Sequence, residues 1–190
     1  PTMPAARIEE IVAVTNGLGA DAVLLLGDYE ASQRVMQRPL MPDEWAPILA
    51  QLKAPLGVHA ILGNHDYWDD PEAQASRRRP VRGRVALEKS GVPVYENDVV
   101  RLEKDGQGFW LAGLADQIAY ITGQRNGYTQ FEGLDDLGGT LAKVTDDAPV
   151  ILMAHEPDIF VQVPARVALT VSGHTHGGQV RLFGWSPIVP

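Results

Sequence analysis

Four short apolar runs in this 190-residue chain each end in a polar cluster, and that repetition constrains the fold more than any other feature. Ala22–Leu26 ends in Gly27-Asp28, and Val58–Leu62 ends in Gly63-Asn64-His65-Asp66. Val150–Ala154 runs into His155, and Val167–Val171 runs into Ser172-Gly173-His174-Thr175-His176. Ala22–Leu26 is continuously apolar and fits a strand buried on both faces, as in parallel sheets, and the other three read as short strands. Helical patterns alternate with them. Ile8, Ile11, Val12, Thr15 and Leu18 fall on one face of a helix over Pro4–Gly19. Glu44–Lys53 reads as a second helix with Pro47 in its first turn. Pro71–Ser90 is helical but broken near Pro80. Val94–Leu102 and Phe109–Leu114 read as adjacent strands around Lys104-Asp105-Gly106. Residues 29–42 and 116–130 read as loop, Leu134–Val144 and Asp158–Val161 as weak or short helices, and Gln179–Phe183 as the last strand. Alternating strands and helices predict a layered α/β architecture. In such folds ligands bind outside the carboxyl ends of the strands, where these polar clusters fall.

Composition decides which chemistry those clusters can carry. With no cysteine in the chain, disulfides, thiolate metal sites and cysteine nucleophiles are excluded. A transition-metal site must then use imidazole, carboxylate and amide groups. Four of the five histidines, His65, His155, His174 and His176, lie in the strand-end clusters with Asp28, Asn64 and Asp66. Sixteen basic against 24 acidic residues give a net charge of −8. No specific nucleic-acid binding is expected of so acidic a chain. No apolar run approaches the ~20 residues of a membrane-spanning helix.

Taken in order, Gly27-Asp28, Gly63-Asn64-His65-Asp66, His155 and Gly173-His174-Thr175-His176 resemble the calcineurin-like metallophosphoesterase family. Leu26-Gly27-Asp28-Tyr29, His155-Glu156-Pro157 and Gly173-His174-Thr175-His176-Gly177-Gly178-Gln179 further resemble its bacterial envelope-associated branch. The resemblance implies an α/β/β/α sandwich of two mixed sheets flanked by helices. It also implies a metal-dependent phosphoesterase that cleaves phosphomonoester, phosphodiester or pyrophosphate bonds with a metal-bridging hydroxide as nucleophile. Two divalent ions are implied, with Mn²⁺ the first expectation and Fe, Zn²⁺ or Ni²⁺ also suited to oxygen and nitrogen ligands. By the match, Asp28 bridges the ions, Asn64, His155 and His174 complete one, and His176 belongs to the other. His65 faces substrate and protonates the leaving oxygen, with Asp66 orienting its ring. A carboxylate can bridge two cations, and paired ions can hold the attacking and leaving oxygens of an in-line displacement.

The family's D-x-H motif does not occur in these 190 residues. The expectation is therefore one phosphoesterase domain over residues 1–190, incomplete at both termini, with the His176-side ion short of ligands. A catalytically impaired scaffold that keeps the fold is the alternative. The expected partner is a phosphate-ester small molecule or a lipid precursor, with peripheral membrane association open.

Other residues have simpler readings. His59 lies within a strand, where packing is its expected role. Arg77, Arg78, Arg79, Arg82 and Arg84 fit a solvated helix face, or contacts to substrate phosphate or anionic lipid headgroups made by Arg77 and Arg78. Tyr29, directly after Asp28, is expected to border the metals. Gly17-Leu18-Gly19-Ala20-Asp21-Ala22 matches a dinucleotide loop in letters but follows a helix and precedes a strand, the reverse of the required order.

Overall fold

A computed structural model describes residues 3–30, 39–77, 80–176, 180–182 and 185–188. Two sheets lie face to face between helices. The first pairs β1 (Val23–Leu25) with β2 (Val58–Ala60) in parallel, extended by a bridge from Ala60 to Val94. The second has four strands in the order β3 (Asp98–Lys104), β4 (Gln107–Gly113), β7 (Val150–Met153) and β8 (Val167–Val171). Its first pair is antiparallel and the rest are parallel, so the sheet is mixed.

Packing fixes the layers. Ile61, Leu111 and Met153 are buried between the sheets with Leu24, Leu26 and Val171 against them. On one outer side, α2 (Pro42–Leu49) and α5 (Arg82–Lys89) cover the first sheet through Trp45, Leu62 and Leu87. On the other, α6 (Leu137–Leu141) lies by Trp110, Val150 and Leu152. The α1 helix (Ala5–Gly17) closes the first sheet through Val12, which packs with Val23 and Leu52. This is the α/β/β/α arrangement the resemblance implies. No helix among the described residues is long and apolar enough to cross a membrane.

The expected break near Pro80 separates α4 (Pro71–Ser76) from α5. Two expectations change. Pro47 lies inside α2, because Pro42 takes the first-turn position. Residues 116–130 are not loop throughout. The strands β5 (Tyr120–Arg125) and β6 (Tyr128–Glu132) form a hairpin whose turn residues Asn126 and Gly127 have φ of 53° and 81°. Asn-Gly is the residue pair that suits such a turn, and the flanking aromatic and β-branched residues are strand formers. The polar majority of the segment hid this signal.

Candidate metal centre

The carboxyl ends of β1, β2, β7 and β8 converge, and each delivers one cluster. Asp28 follows β1, Asn64 and His65 open α3 (Asn64–Trp68) just after β2, His155 follows β7 and His174 follows β8. Donor atoms of Asp28, His155 and His174 lie within 4.8 Å of one another. Asn64, 1% exposed, joins them through its Oδ1, 3.0 Å from His174 Nδ1. His176 lies two residues further on, on the exposed side.

The backbone is bent to make this approach. Asp28, His174 and His176 have φ of 59°, 61° and 50°, a left-handed region that side chains other than glycine rarely adopt. Each such residue costs about 1–3 kcal/mol, a strain found where function demands it. Two glycines provide the clearance. A Cβ on Gly27, whose φ is 94°, would lie 2.3 Å from Gly63 N. One on Gly63 would lie 2.5 Å from both Asp28 Oδ1 and His155 Cε1.

The hydrogen bonds leave donor atoms ready for a cation. The His155 Nδ1–H donates to Leu26 O at 2.6 Å, since a carbonyl can only accept. His155 Nε2 is then the lone-pair nitrogen of the neutral ring. It is buried and makes no hydrogen bond, yet lies 3.1 Å from Asp28 Oδ2. A lone pair and a carboxylate oxygen at that separation repel unless a positive charge stands between or beside them. Burial works against a charged His155 ring, but the neighbouring Asp28 carboxylate outweighs it and holds the His155 pKa above the usual value. Burial likewise raises Asp28, and His155 more than reverses this, leaving Asp28 below the usual range. His174 is pushed down by burial and by the charge of His155, which favours its neutral form. These donors fit a divalent ion with mixed oxygen and nitrogen preference.

Asp66 does not orient His65. Its carboxylate accepts four backbone N–H bonds, from Gly63 (2.9 Å), Asp28 (2.9 Å), Tyr29 (2.9 Å) and Glu30 (3.2 Å). It therefore ties the loop after β1 to the loop after β2. Burial, aided by the Asp28 charge, pushes Asp66 up to about 7 against the pull of the Gly63, Glu30 and Asp28 N–H groups. Asp66→Ala would leave four N–H groups without their acceptor, two of them buried, a loss of about 2–6 kcal/mol at 1–3 kcal/mol per buried orphan. Urea denaturation would read this as a lower midpoint with an unchanged slope. The residue facing His65 is Asp69, whose Oδ2 is 3.2 Å from His65 Nδ1. Its signal in the sequence is the i,i+4 spacing on a short helix.

Tyr29 does not border the cluster either. Its hydroxyl donates to Ile61 O (2.9 Å) and to Leu25 O (3.2 Å), and its ring stacks on Trp45. Arg77 is engaged by Glu132 and lies over the Tyr120 ring, so it braces the hairpin instead of facing phosphate. Arg78 and Arg79 lie outside the described residues. Arg82 binds Glu30, and Arg84 binds Glu88 and Glu96, which accounts for the rest of the basic stretch. His59 is satisfied by Tyr95 Oη and Leu56 O, as packing predicts.

One buried pair was not singled out from the sequence. Asp116 and Glu156 are 1% and 4% exposed, and their Oδ2 and Oε1 atoms have no hydrogen-bond partner. Burial and the neighbouring Glu156 carboxylate hold Asp116 well above the usual range, so the pair carries a proton at neutral pH. Glu156 Oε2 accepts from the Gln117 backbone N–H (3.2 Å) and Nε2 (3.0 Å), which fixes the loop beside His155.

Oxygen and nitrogen donors converging at the strand ends of a parallel and a mixed sheet, packed between helices, define a candidate metal site in an α/β/β/α protein. The calcineurin-like phosphoesterase family matches residues 4–178, and the chain belongs to that family. Its members are metallophosphoesterases, hydrolases of phosphoester bonds that generally hold a binuclear divalent-metal centre. Among curated relatives, a "Transmembrane protein with metallophosphoesterase domain" from Danio rerio is 30% identical over 95% of this chain and 38% of its own length. The "Uncharacterized metallophosphoesterase YkuE" of Bacillus subtilis is 28% identical over 96% of this chain and 56% of its own. An "Uncharacterized metallophosphoesterase" of Aquifex aeolicus is 29% identical over 98% and 62%. The chain thus spans about two-fifths to three-fifths of these relatives, which come from bacteria and animals alike. No solved structure gives a significant match.

Proposed function

We propose that this chain hydrolyses phosphate esters with divalent metal held by Asp28, Asn64, His155 and His174, and with His176 serving a second ion. The observation that carries the reading is the buried His155 Nε2, unbonded and 3.1 Å from Asp28 Oδ2. That arrangement suits ligand atoms sharing a cation. Bound ions would supply positive charge for the phosphoryl oxygens and an activated water. The chain's own residues do the rest. The peptide N–H of His65 donates to Asp28 Oδ1 at 3.0 Å, fixing that carboxylate so that Oδ2 is presented to the centre. Asp69 engages His65 Nδ1, so Nε2 is the nitrogen that gives a proton to the departing oxygen. The Leu26 carbonyl fixes the His155 tautomer, the usual supporting contact behind a ligating imidazole.

The test is hydrolysis of p-nitrophenyl phosphate and bis(p-nitrophenyl) phosphate by chelator-treated protein, before and after adding Mn²⁺, Fe²⁺, Zn²⁺ or Ni²⁺. Metal-restored turnover is expected. Tight metal binding with no turnover for any ion would favour the scaffold reading.

Metal binding should also depend on pH in a defined direction. At pH below the pKa of His155, which the Asp28 carboxylate holds above its usual value, the ion must displace a proton from the ring. Affinity should be level above that raised pKa and fall about tenfold per pH unit below it. Isothermal titration in buffers of different ionisation enthalpy would register about one proton released per ion below that raised pKa and fewer above it.

A further inference from the structure

The hairpin β5–β6 stands beside His65 and is exposed at every residue from 121 to 133. Its base is clamped. Gln74 Nε2 donates to Ala119 O (2.7 Å), Ile121 N–H donates to Gln74 Oε1 (3.1 Å), and Trp68 Nε1 donates to Ile118 O (2.9 Å). Tyr120 meets Tyr67 edge to face, and Arg77 bridges Tyr120 and Glu132. The hairpin is therefore held in a fixed place relative to α3, the helix that carries His65.

Its two faces differ. Ile121 and Phe131 are directly paired across the strands and so share one face. On that face Phe131 stacks on Trp68, with centroids 5.1 Å apart and planes 12° apart. Trp68 in turn meets the His65 ring edge to face at 5.4 Å. A continuous run of rings thus leads from the proposed proton donor to Phe131. Stacking on Trp68 occupies one side of the Phe131 ring, yet Phe131 remains 40% exposed and Ile121 46% exposed. Apolar side chains held in water beside a polar site, on a rigid support, mark a ligand surface.

We propose that Trp68, Phe131 and Ile121 form a subsite for an aromatic ring on the substrate's leaving group, one short linker away from the phosphorus. The inference rests on the phosphoester reading of the metal centre. It deepens that reading by naming a substrate class, aryl-bearing phosphate esters. The occupant is argued from continuity. The apolar face begins at the ring of His65, where the departing oxygen must lie. Stacked flat rings recognise a planar group better than they do a flexible chain.

The test compares binding of two non-hydrolysable probes, methylphosphonate and 1-naphthylmethylphosphonate, to metal-loaded protein by isothermal titration. The naphthyl probe should bind about tenfold tighter, the lower part of the range for one ring stacked on an aromatic side chain. Phe131→Ala should bring the affinity ratio to within about twofold of one, and Phe131→Leu should do nearly the same, because it keeps apolar bulk but loses the ring. Equal affinities in the native protein would overturn the proposal, as would a ratio that survives Phe131→Ala. A ratio kept in full by Phe131→Leu would contradict the aromatic class. Naphthyl binding that persists after chelation would place the ring elsewhere on the protein. If neither probe binds, the phosphoester reading fails first and takes the subsite with it. A missing ratio with tight methylphosphonate binding leaves that reading standing and removes only the subsite.

Discussion

His174→Ala is expected to lose bound metal and hydrolysis together. His174 reaches the cluster from the end of β8, with its ring 5.2 Å from that of His155 and its Nδ1 on Asn64 Oδ1. Removing a contact that merely supports a ligand already costs 10–100-fold in metal affinity, so losing a ligand should cost more than about 100-fold. Hydrolysis should fall in proportion at limiting metal and recover only partly at high metal. The fold should survive, because His174 is only partly buried and belongs to none of the hydrophobic clusters. Metal content by elemental analysis, beside thermal unfolding of the metal-free forms, separates ligand loss from misfolding. Unchanged metal content in the variant would remove His174 from the centre.

His65→Ala should behave in the opposite way. The residue presents its backbone, not its ring, to Asp28, through the 3.0 Å bond to Oδ1. Alanine keeps that peptide N–H, so metal content should stay near the native value. Turnover should fall by about 10²–10⁴-fold, the usual contribution of a positioned acid or base. The fall should be smaller for esters whose leaving group needs no proton, such as p-nitrophenol, than for alkyl leaving groups. Asp69→Asn should give a milder version of the same loss, since it weakens the charge behind Nδ1 without removing the ring. Equal metal loss in His65→Ala and His174→Ala would contradict this division of roles.

Most of the scaffold was legible in the sequence, for a physical reason. Strands packed between two layers are rich in apolar residues, so the strands holding Leu24, Ala60 and Val150 stand out as runs. The residues after them are polar at the cost of strained backbone, as at Asp28 and His174, and that combination is visible as letters. The hairpin β5–β6 was not legible by the same rule. It is exposed from residue 121 on, so no buried face imposes an apolar pattern, and Asn126-Gly127 between short aromatic and β-branched stretches was its mark.

Side-chain direction was the other blind spot. The short helix α3 carries Asn64, His65 and Asp66 in three consecutive positions, and they point three ways. Asn64 turns to His174, His65 to Trp68 and Asp69, and Asp66 back to the N–H groups of Gly63 and Asp28. Adjacency in the motif suggested that Asp66 would support His65. On a helix, the neighbour that shares a face is four residues on, which is Asp69. Tyr29 illustrates the same point, since the left-handed turn at Asp28 sends it back to the Leu25 and Ile61 carbonyls.

On the proposed reading, His155 and His174, brought from different strands, hold one metal ion with Asp28. Pulsed electron paramagnetic resonance of the protein loaded with Mn²⁺ as a probe tests it directly, because imidazole nitrogens bound to the ion imprint ¹⁴N modulation on the echo. Nitrogen modulation is expected in the native protein, reduced in His155→Ala and in His174→Ala. It should remain intact in His59→Ala, whose ring is held by Tyr95 and Leu56. Bound Mn²⁺ without nitrogen modulation, or modulation indifferent to both ligand substitutions, would contradict the account.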